Sequence, residues 1–421
     1  MMSSVQKKVV EAVDKHRDSA IDFLRSLLKV PSVTGKEKEV QGIIVAKYNE
    51  IGLKVDMWDL DPDQLAKAPE YVETGHSYRG RPNLVGLLKG MGGGRSLVLN
   101  GHVDVIPPEP REAWDIDPWG AEIREGKIFG RGASDMKSGI ATMVMAVENI
   151  IKAGVKLKGD VIIETVIDEE YSSNGTLGCI LRGYKGDAGI SCEASDLEIQ
   201  PSATGSMWFE ITVQGRSASM SRIWEAVSAV DKGYRIAQAV KEYQEIRLSE
   251  KTHPLYKDPR AALACFVGMF NAGTYPSSSP DVCVIKGRIG LLPSENPLRV
   301  QQNFIDYIRK VSDSDPWLKD HQPEVYFKGY RGEPAEIPVE HPINNTLKRC
   351  FKDVTGKEPV VKGHEGATDA RVLIKYGIPT TIFGPGTITQ MHATNEWVKV
   401  DNFVDAMKVL ATAITDWCGC R

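Results

Sequence analysis

The chain has 421 residues, of which 26% are charged, and its formal net charge is −4 at pH 7. This length exceeds that of a typical single domain, so we expect two domains. A balanced, slightly acidic composition argues against a surface built to bind nucleic acid or another polyanion. No apolar run approaches the roughly 18 residues of a membrane-spanning helix, so we expect no membrane partner.

The N-terminus and the cysteines bear on the cellular compartment. The first 18 residues are charged and helical in pattern, without the apolar core of a signal peptide. The seven cysteines form no C-x-x-C pair, and an odd, scattered set is typical of reduced thiols. We therefore expect a cytoplasmic protein.

Periodicity predicts alternating helices and strands in the first hundred residues. Apolar residues at helical spacing predict a helix over 5–30, which ends before a proline, and a second helix over about 35–51. Alternating residues predict a strand over 53–58. Two short apolar runs, 83–88 and 97–100, predict neighbouring strands of a buried sheet.

A histidine and a carboxylate follow the strand predicted over 97–100. His102 and Asp104 come after its carboxyl end, and open α/β sheets hold their ligands at that edge. Imidazole and carboxylate are ligands that a divalent metal such as zinc takes. Taken alone, such a pair is more often a hydrogen-bonded structural pair than a metal site.

The middle of the chain adds further carboxylates at comparable places. Asp135 lies in a glycine-rich segment that precedes a predicted helix. A buried strand predicted over 159–167 is followed by Glu169 and Glu170, and a shorter strand is followed by Glu193. The carboxyl ends of parallel strands meet at one edge of a sheet, so we expect these groups near His102.

The pattern changes near residue 204. Strands with polar alternate positions are predicted over 206–213 and 282–291, and amphipathic helices over 226–245 and 300–311. Such a series is typical of an α+β unit in which helices cover one face of a sheet. The first pattern returns in the last part of the chain.

These observations predict an α/β fold with one domain inserted into another. Residues 1–203 and 334–421 are expected to form a domain with a mostly parallel sheet. Residues 204–333 are expected to form the smaller, inserted α+β domain.

The acidic and imidazole groups at the predicted strand ends form one set, to which a late histidine belongs. Like charges that converge at one sheet edge repel unless a cation lies between them. With two histidines in the set, two zinc-like ions explain it well. The members are His102, Asp104, Asp135, Glu169, Glu170, Glu193 and His392.

The ordered motifs of the chain resemble those of the M20 metallopeptidase family, which includes acetylornithine deacetylase and succinyl-diaminopimelate desuccinylase. The resemblance covers nearly the whole chain and implies a metal-dependent hydrolase domain with an inserted lid and dimerisation domain. The matching segments are NGHVDV (100–105), GRGASDMKSG (130–139), DEE (168–170), CEASD (192–196), ATDAR (367–371) and MHATNE (391–396).

The resemblance implies two divalent metal ions and their ligands. His102 and Glu193 would hold one ion, and Glu170 and His392 would hold the other. Asp135 would bridge the two ions. Zinc is favoured, with manganese and cobalt as alternatives.

The resemblance also implies the acid–base chemistry. Glu169 would be the general base that takes a proton from the attacking water. Asp104 would orient the ring of His102 through its far nitrogen. Spacing alone does not distinguish the roles of the adjacent glutamates Glu169 and Glu170. The peptide between Asp135 and Met136 is expected to be cis.

On the substrate side the chain departs from the family. The inserted domain of the family carries G-x-x-A-H-x, whose histidine crosses a dimer interface to polarise the scissile carbonyl. Here Ser219 occupies that position, and loss of one oxyanion donor typically slows catalysis about 100–1,000-fold. Arg288 matches the usual arginine. Asp369 and Arg371 either contact the substrate or have a structural role, in which they cap the start of a helix and form a salt bridge there.

Three functions remain open from the sequence. The leading hypothesis is a di-metal hydrolase that cleaves the amide of an N-acyl amino acid or a related small molecule. The alternative is a hydrolytic deaminase that releases ammonia from an activated amine, such as one on an electron-poor aromatic ring. The third is a binding protein that kept the fold without catalysis. The resemblance also implies a homodimer through the inserted domain.

Overall fold

The computed structural model describes residues 2–421, which divide into two compact units. The first unit comprises the described residues up to Ser202, together with Glu336–His364 and Thr368–Arg421. The second comprises Ala203–Ala335 and Glu365–Ala367. That these units fold as the two predicted domains stays a prediction.

Eleven α-helices lie within the described residues and are numbered α1 to α11 in chain order. They are Ser4–Lys15, Arg17–Leu28, Lys38–Glu50, Pro62–Leu65, Lys137–Lys152, Asn174–Leu181, Ala229–Glu250, Pro297–Asp313, Pro342–Thr355, Ala370–Lys375 and Val400–Cys418.

Sixteen strands lie within the same residues and are numbered β1 to β16. They are Lys54–Asp59, Pro82–Leu88, Leu97–His102, Ile123–Arg124, Lys127–Phe129, Val161–Val166, Ala188–Ser191, Ser202–Ala203, Gly205–Gln214, Cys265–Ala272, Val282–Leu291, Glu324–Tyr326, Arg331–Gly332, Ala335–Glu336, Thr380–Ile382 and Trp397–Lys399.

A six-stranded sheet forms the centre of the first unit, in the order β1-β2-β6-β3-β7-β15. Strands β6, β3, β7 and β15 are parallel, whereas β1 and β2 form an antiparallel edge. The mostly parallel α/β fold predicted from the sequence is therefore confirmed. Every residue of β3 and β6 is buried, as expected for strands whose two faces are both covered by other elements.

Helices α5 and α11 pack together beside this sheet, and α11 also contacts α1 and α9. Fourteen of the sixteen residues of α5 are buried, so this helix belongs to the core rather than to the surface. Its first turn follows the loop that contains Asp135. Among the described residues, no helix combines the length and the apolar character needed to cross a bilayer.

The helix predicted over 5–30 is in fact two helices, α1 and α2. The break falls at His16, whose backbone has φ −107° and ψ 18°. The His16 ring nitrogen Nδ1 lies 2.9 Å from Asn149 Oδ1 on α5. This partner is 133 residues away in the chain, so local periodicity does not reveal the break.

The second unit has an antiparallel sheet in the order β10-β11-β9-β12. Helix α7 packs on β9, β10 and β11, and α8 packs on α7. Side chains such as Phe209, Ile285 and Phe304 form a separate apolar core. The second unit is therefore of the α+β type that the alternating strands and amphipathic helices predict.

Candidate metal centre

His102 is the last residue of β3 and is almost completely buried. Its Nδ1 lies 2.9 Å from the backbone oxygen of Asp104, a contact that selects the tautomer with a proton on Nδ1. Nε2 is then free to act as a ligand. It lies 3.1 Å from Asp135 Oδ1 and 3.4 Å from Glu193 Oε1.

Asp135 lies between two imidazoles. Its Oδ1 faces His102 Nε2, and its Oδ2 lies 3.3 Å from His392 Nε2. The Asp135–Met136 peptide is cis, as the resemblance implies. One carboxylate with a histidine at each oxygen has the arrangement that a bridging ligand requires.

The turn after β6 supplies two glutamates. His392 Nε2 lies 2.9 Å from Glu170 Oε2, whereas Glu169 Oε2 lies 3.8 Å from His102 Nε2. The carboxylate of Asp104 accepts the backbone N–H groups of both Glu169 and Glu170, at 3.2 and 3.3 Å. Asp104 Oδ1 is 3.6 Å from His102 Nδ1, so this carboxylate lies against the histidine and holds the glutamate turn as well.

Burial and charge shift the pKa values of these groups strongly. Burial and the neighbouring Asp135 raise the pKa of Glu170 to about 7. Hydrogen bonds to Asp135 and Glu170 raise the pKa of His392 to about 11. Burial, partly opposed by the charge of His102, raises the pKa of Glu169 and Glu193 as well. Without a metal ion, these crowded carboxylates either retain protons or keep the neighbouring histidines protonated. A bound cation would replace those protons.

The donor atoms fit a metal ion. Ligand atoms of His102, Asp135 and Glu170 lie within 4.8 Å of one another, and so do those of His102, Glu169 and Glu193. Glu193 Oε2 is buried and has no hydrogen-bond partner. An acceptor of this kind is costly to bury unless a cation or a donor meets it. Imidazole with carboxylate is the donor set of zinc and similar ions.

Sequence reasoning missed the role of Glu396, although this residue ends the motif MHATNE. Its buried carboxylate accepts the backbone N–H groups of Ser134 and Asp135 at 2.7 and 2.9 Å, and that of Gly132 at 3.0 Å. Arg131 donates to the same carboxylate at 2.7 Å. Glu396 therefore shapes the loop that presents Asp135. The signal available in the sequence was its place in the motif MHATNE, next to the predicted ligand His392.

A buried ion network behind the glutamate turn was also missed. Arg81 Nη2 donates to Asp168 Oδ1 at 2.9 Å, and Arg81 Nε donates to Glu37 Oε2 at 2.8 Å. Asp168 has φ 70°, which is rare for a residue with a side chain. Tyr78 also donates to Asp168 Oδ2, at 3.0 Å. These contacts hold the backbone immediately before Glu169 in its unusual conformation.

The other predicted site residues fall into two groups. Thr176 donates to Asp369 Oδ2 at 2.8 Å, and Arg371 Nη2 donates to the backbone oxygen of Ser172 at 2.6 Å. Asp369 and Arg371 therefore pack against the segment that follows the two glutamates. Ser219 and Arg288 lie in the second unit, and their contribution to the site stays a prediction.

Ser219 is exposed at the start of a short 3₁₀ segment, Met220–Glu225. Its hydroxyl lies 2.9 Å from Ser221 Oγ. Arg288 lies within β11.

A mostly parallel α/β domain with histidines and carboxylates at its strand ends is the architecture of a metal-dependent hydrolase. The chain belongs to peptidase family M20/M25/M40, whose model matches residues 98–416. It is therefore a hydrolase of the class that acts on C–N bonds, as the sequence predicts.

One relative supports this membership, and two solved structures share the fold. The chain is 31% identical to the N-formyl-4-amino-5-aminomethyl-2-methylpyrimidine deformylase of Bacillus subtilis, covering 99% of this chain and 97% of that one. A tripeptidase from Staphylococcus aureus has the same fold, with a TM-score of 0.73 and 18% sequence identity. The match covers 96% of this chain and 98% of that one. A Bacillus subtilis structure described as a dinuclear metal-binding peptidase of family M20 also shares the fold. Its TM-score is 0.66 and its sequence identity is 15%, and the match covers 96% of this chain and 99% of that one.

Proposed function

We propose that this protein removes a formyl or similarly small acyl group from a primary amine carried by a heteroaromatic ring. The class of reaction follows from the family. The observation that carries the proposal for the substrate is the 31% identity to a pyrimidine deformylase over nearly the full length of both chains. The metal-dependent amide hydrolysis predicted from the sequence is the same chemistry, with a formamide as the amide.

We propose two divalent metal ions, with zinc favoured. His102 and Glu193 would hold one and His392 and Glu170 the other, with Asp135 between them, in accord with the contacts of both imidazoles to Asp135. When bound, such ions polarise a carbonyl and lower the pKa of water. The chain itself fixes the ligand geometry through Glu396 and Asp104.

Glu169 is the proposed general base. Its carboxylate lies 3.8 Å from His102 Nε2, farther than those of Asp135 and Glu193. Burial and neighbouring carboxylates raise its pKa, which suits a group that takes a proton near neutral pH and returns it. Glu169 would accept the proton of the attacking water and deliver it to the amine nitrogen as the C–N bond breaks.

The experiment is turnover by the metal-loaded protein in oxygen-18 water, followed by mass spectrometry. The substrates are N-formyl-4-amino-5-aminomethyl-2-methylpyrimidine, its free amine, and a tripeptide. We expect labelled formate and free amine from the formylated compound. Ammonia release with label on the ring would instead establish the deaminase alternative. Cleavage of the tripeptide alone would overturn the substrate proposal but keep the amidohydrolase class.

We further propose that the protein is a homodimer through its second unit. Strand β10 is an edge strand of that sheet, and an edge presents unpaired backbone groups. Phe270 on this strand and Val230 and Tyr234 on α7 are apolar side chains with large exposed fractions. A Cβ built on Gly233 would lie 3.1 Å from Phe270 Cζ, so α7 and β10 contribute to one apolar patch.

A further inference from the structure

The loop that carries His392 has an unusual backbone. His392 has φ 60° and Asn395 has φ 55°, in the left-handed region that residues with side chains seldom adopt. The side chain of His392 is 51% exposed, so burial alone does not hold it. Its Nε2 nevertheless lies 3.3 Å from Asp135 Oδ2 and 2.9 Å from Glu170 Oε2. Contacts elsewhere in the loop therefore fix the backbone from which this imidazole projects.

An aspartate in a distant loop makes one of these contacts. The backbone N–H of Asp115 donates to Asn395 Oδ1 at 2.9 Å, and Asn395 Nδ2 donates to Asp115 Oδ2, also at 2.9 Å. The two hydrogen bonds close a ring between positions that are 280 residues apart in the chain. They hold the very residue whose backbone is left-handed three positions after His392. We call this pair the Asp115–Asn395 clamp.

A second tie joins the same two loops. Trp114 precedes Asp115, and the Arg131 guanidinium lies over its ring, 5.1 Å from the ring centre. Arg131 Nη1 in turn donates to the backbone oxygen of Ala393 at 3.2 Å. The loop is thus held at two points, one and three residues after His392. Both ties come from the part of the chain that follows the 3₁₀ segment Arg111–Ala113.

We propose that Asp115 and Asn395 are positioning residues for the metal ion that His392 and Glu170 would hold. Neither side chain belongs to the candidate metal cluster, so both act through the backbone of the His392 loop. An imidazole that is held in place beforehand loses less conformational freedom when it becomes a ligand. None of the roles that the family resemblance implies falls on either residue. The inference rests on the proposed two-ion centre.

The first test is a competition titration of the full-length, metal-free protein with zinc and a fluorescent chelator, which gives an affinity for each ion without turnover. We expect Asp115→Ala and Asn395→Gly to weaken one ion about 10–100-fold and to leave the other unchanged, because contacts that orient a ligand typically contribute that much. Glycine is chosen at position 395 because it adopts positive φ readily, so only the side-chain hydrogen bonds are lost.

Two further variants serve as controls. Asp115→Asn keeps a side-chain oxygen that can accept from Asn395 Nδ2, so it should bind both zinc ions as the unchanged protein does. Glu112→Ala removes an exposed carboxylate three residues earlier in the chain, outside the clamp, and should also bind both ions normally.

Hydrogen exchange of the metal-free protein tests the clamp independently of the metal centre. The backbone N–H of Ala393 donates to the backbone oxygen of Gln390 at 3.1 Å and reports on the loop. We expect peptides that contain residues 391–396 to exchange about tenfold or more faster in Asp115→Ala and Asn395→Gly, but not in Asp115→Asn. If this pattern appears although the unchanged protein holds fewer than two zinc ions, the two-ion centre is wrong and the clamp is supported.

Two results would overturn the proposal. One is exchange over 391–396 and zinc affinities that stay the same in Asp115→Ala and Asn395→Gly as in the unchanged protein. The other is equal weakening of both zinc ions, which would indicate a general loosening of the first unit rather than positioning of His392.

Discussion

Asp135 is the residue that joins the two halves of the candidate metal centre. Each of its carboxylate oxygens faces a different imidazole, and burial, which alone would raise the pKa of Asp135, is outweighed by His102 and His392, which lower it. Asp135 therefore stays ionised while its glutamate neighbours tend to hold protons. A carboxylate with a lowered pKa in this position suits a ligand shared by two cations.

Replacing the shared carboxylate should affect both ions, whereas replacing one terminal ligand should affect one. We predict that the Asp135→Asn variant retains almost no metal, whereas the His392→Ala variant retains about one ion per chain. The measurement is metal content per chain by plasma mass spectrometry after dialysis. Two ions per chain in Asp135→Asn would show that this residue is not the bridge.

Glu169 should matter for turnover but not for metal content. We predict that Glu169→Gln lowers kcat by about 100–10,000-fold, because the amide cannot accept the proton of water. Metal content should stay as in the unchanged protein. Glu11→Gln, at an exposed position in α1, is the matched control and should keep full activity. If Glu169→Gln keeps most of its activity, another group is the base.

At the scale of elements, β3 and β6 carry a second set of buried polar groups, which come before the strand-end residues of the candidate metal centre. Asn100 of β3 donates to Glu164 Oε2 of β6 at 3.0 Å and is paired with it in the parallel register. Asn100 also lies 2.9 Å from Thr176 Oγ1, and Thr176 donates to Asp369. Burial, with a smaller contribution from Asp369, raises the pKa of Glu164 from 4.5 to about 8.

This shift predicts how stability depends on pH. The unfolded chain loses the proton of Glu164 near pH 4.5, whereas the folded chain keeps it up to about pH 8. The contribution of Glu164 to the free energy of unfolding is therefore fully present below pH 4.5 and is lost as the pH rises to about 8. Between these values the free energy of unfolding should fall by about 1.4 kcal/mol per pH unit from this group.

Glu164→Gln keeps the shape of the protonated acid and removes the titration. We predict that its unfolding free energy, measured with urea from pH 5 to pH 8, lacks this slope, whereas the exposed-site control Glu112→Gln retains it. Equal slopes in Glu164→Gln and in the unchanged protein would mean that Glu164 is ionised in the folded chain.

At the scale of the whole molecule, the two units have separate apolar cores and different sheets. Residues of the metal cluster all belong to the first unit. The second unit has an exposed apolar patch at β10 and α7. The candidate metal ligands and the exposed apolar patch therefore lie in different units.

The patch at β10 and α7 gives the prediction for assembly. The double change Phe270→Lys and Tyr234→Lys should convert a homodimer into single chains, because it places charges on an apolar interface. Leu298→Lys is the control, since Leu298 is 61% exposed on α8 and should not affect assembly. Sedimentation equilibrium at micromolar concentration measures the mass. A single chain in the unchanged protein, or a dimer in the double variant, would contradict the proposal.

Much of the architecture was predictable because it rests on local patterns. Buried runs such as 97–100 and 159–167 coincide with β3 and β6, and the strand-end residues His102 and Glu193 do meet. The reason is geometric: parallel strands bring their carboxyl ends to one edge, whatever the loops between them do. Ordered motifs added the family and the expected ligands.

Sequence alone determined the class of enzyme, the α/β fold and the strand-end side chains that can hold metal, because each depends on short-range periodicity or on a motif. Only the tertiary structure decided that Asp135 lies between two imidazoles, that Glu396 holds its loop, and that Arg288 is paired with Trp208 on one side and Phe266 on the other. These are contacts between residues far apart in the chain; Glu396 and Asp135 are 261 positions apart. Such pairs are set by packing and strand register, which no local pattern encodes.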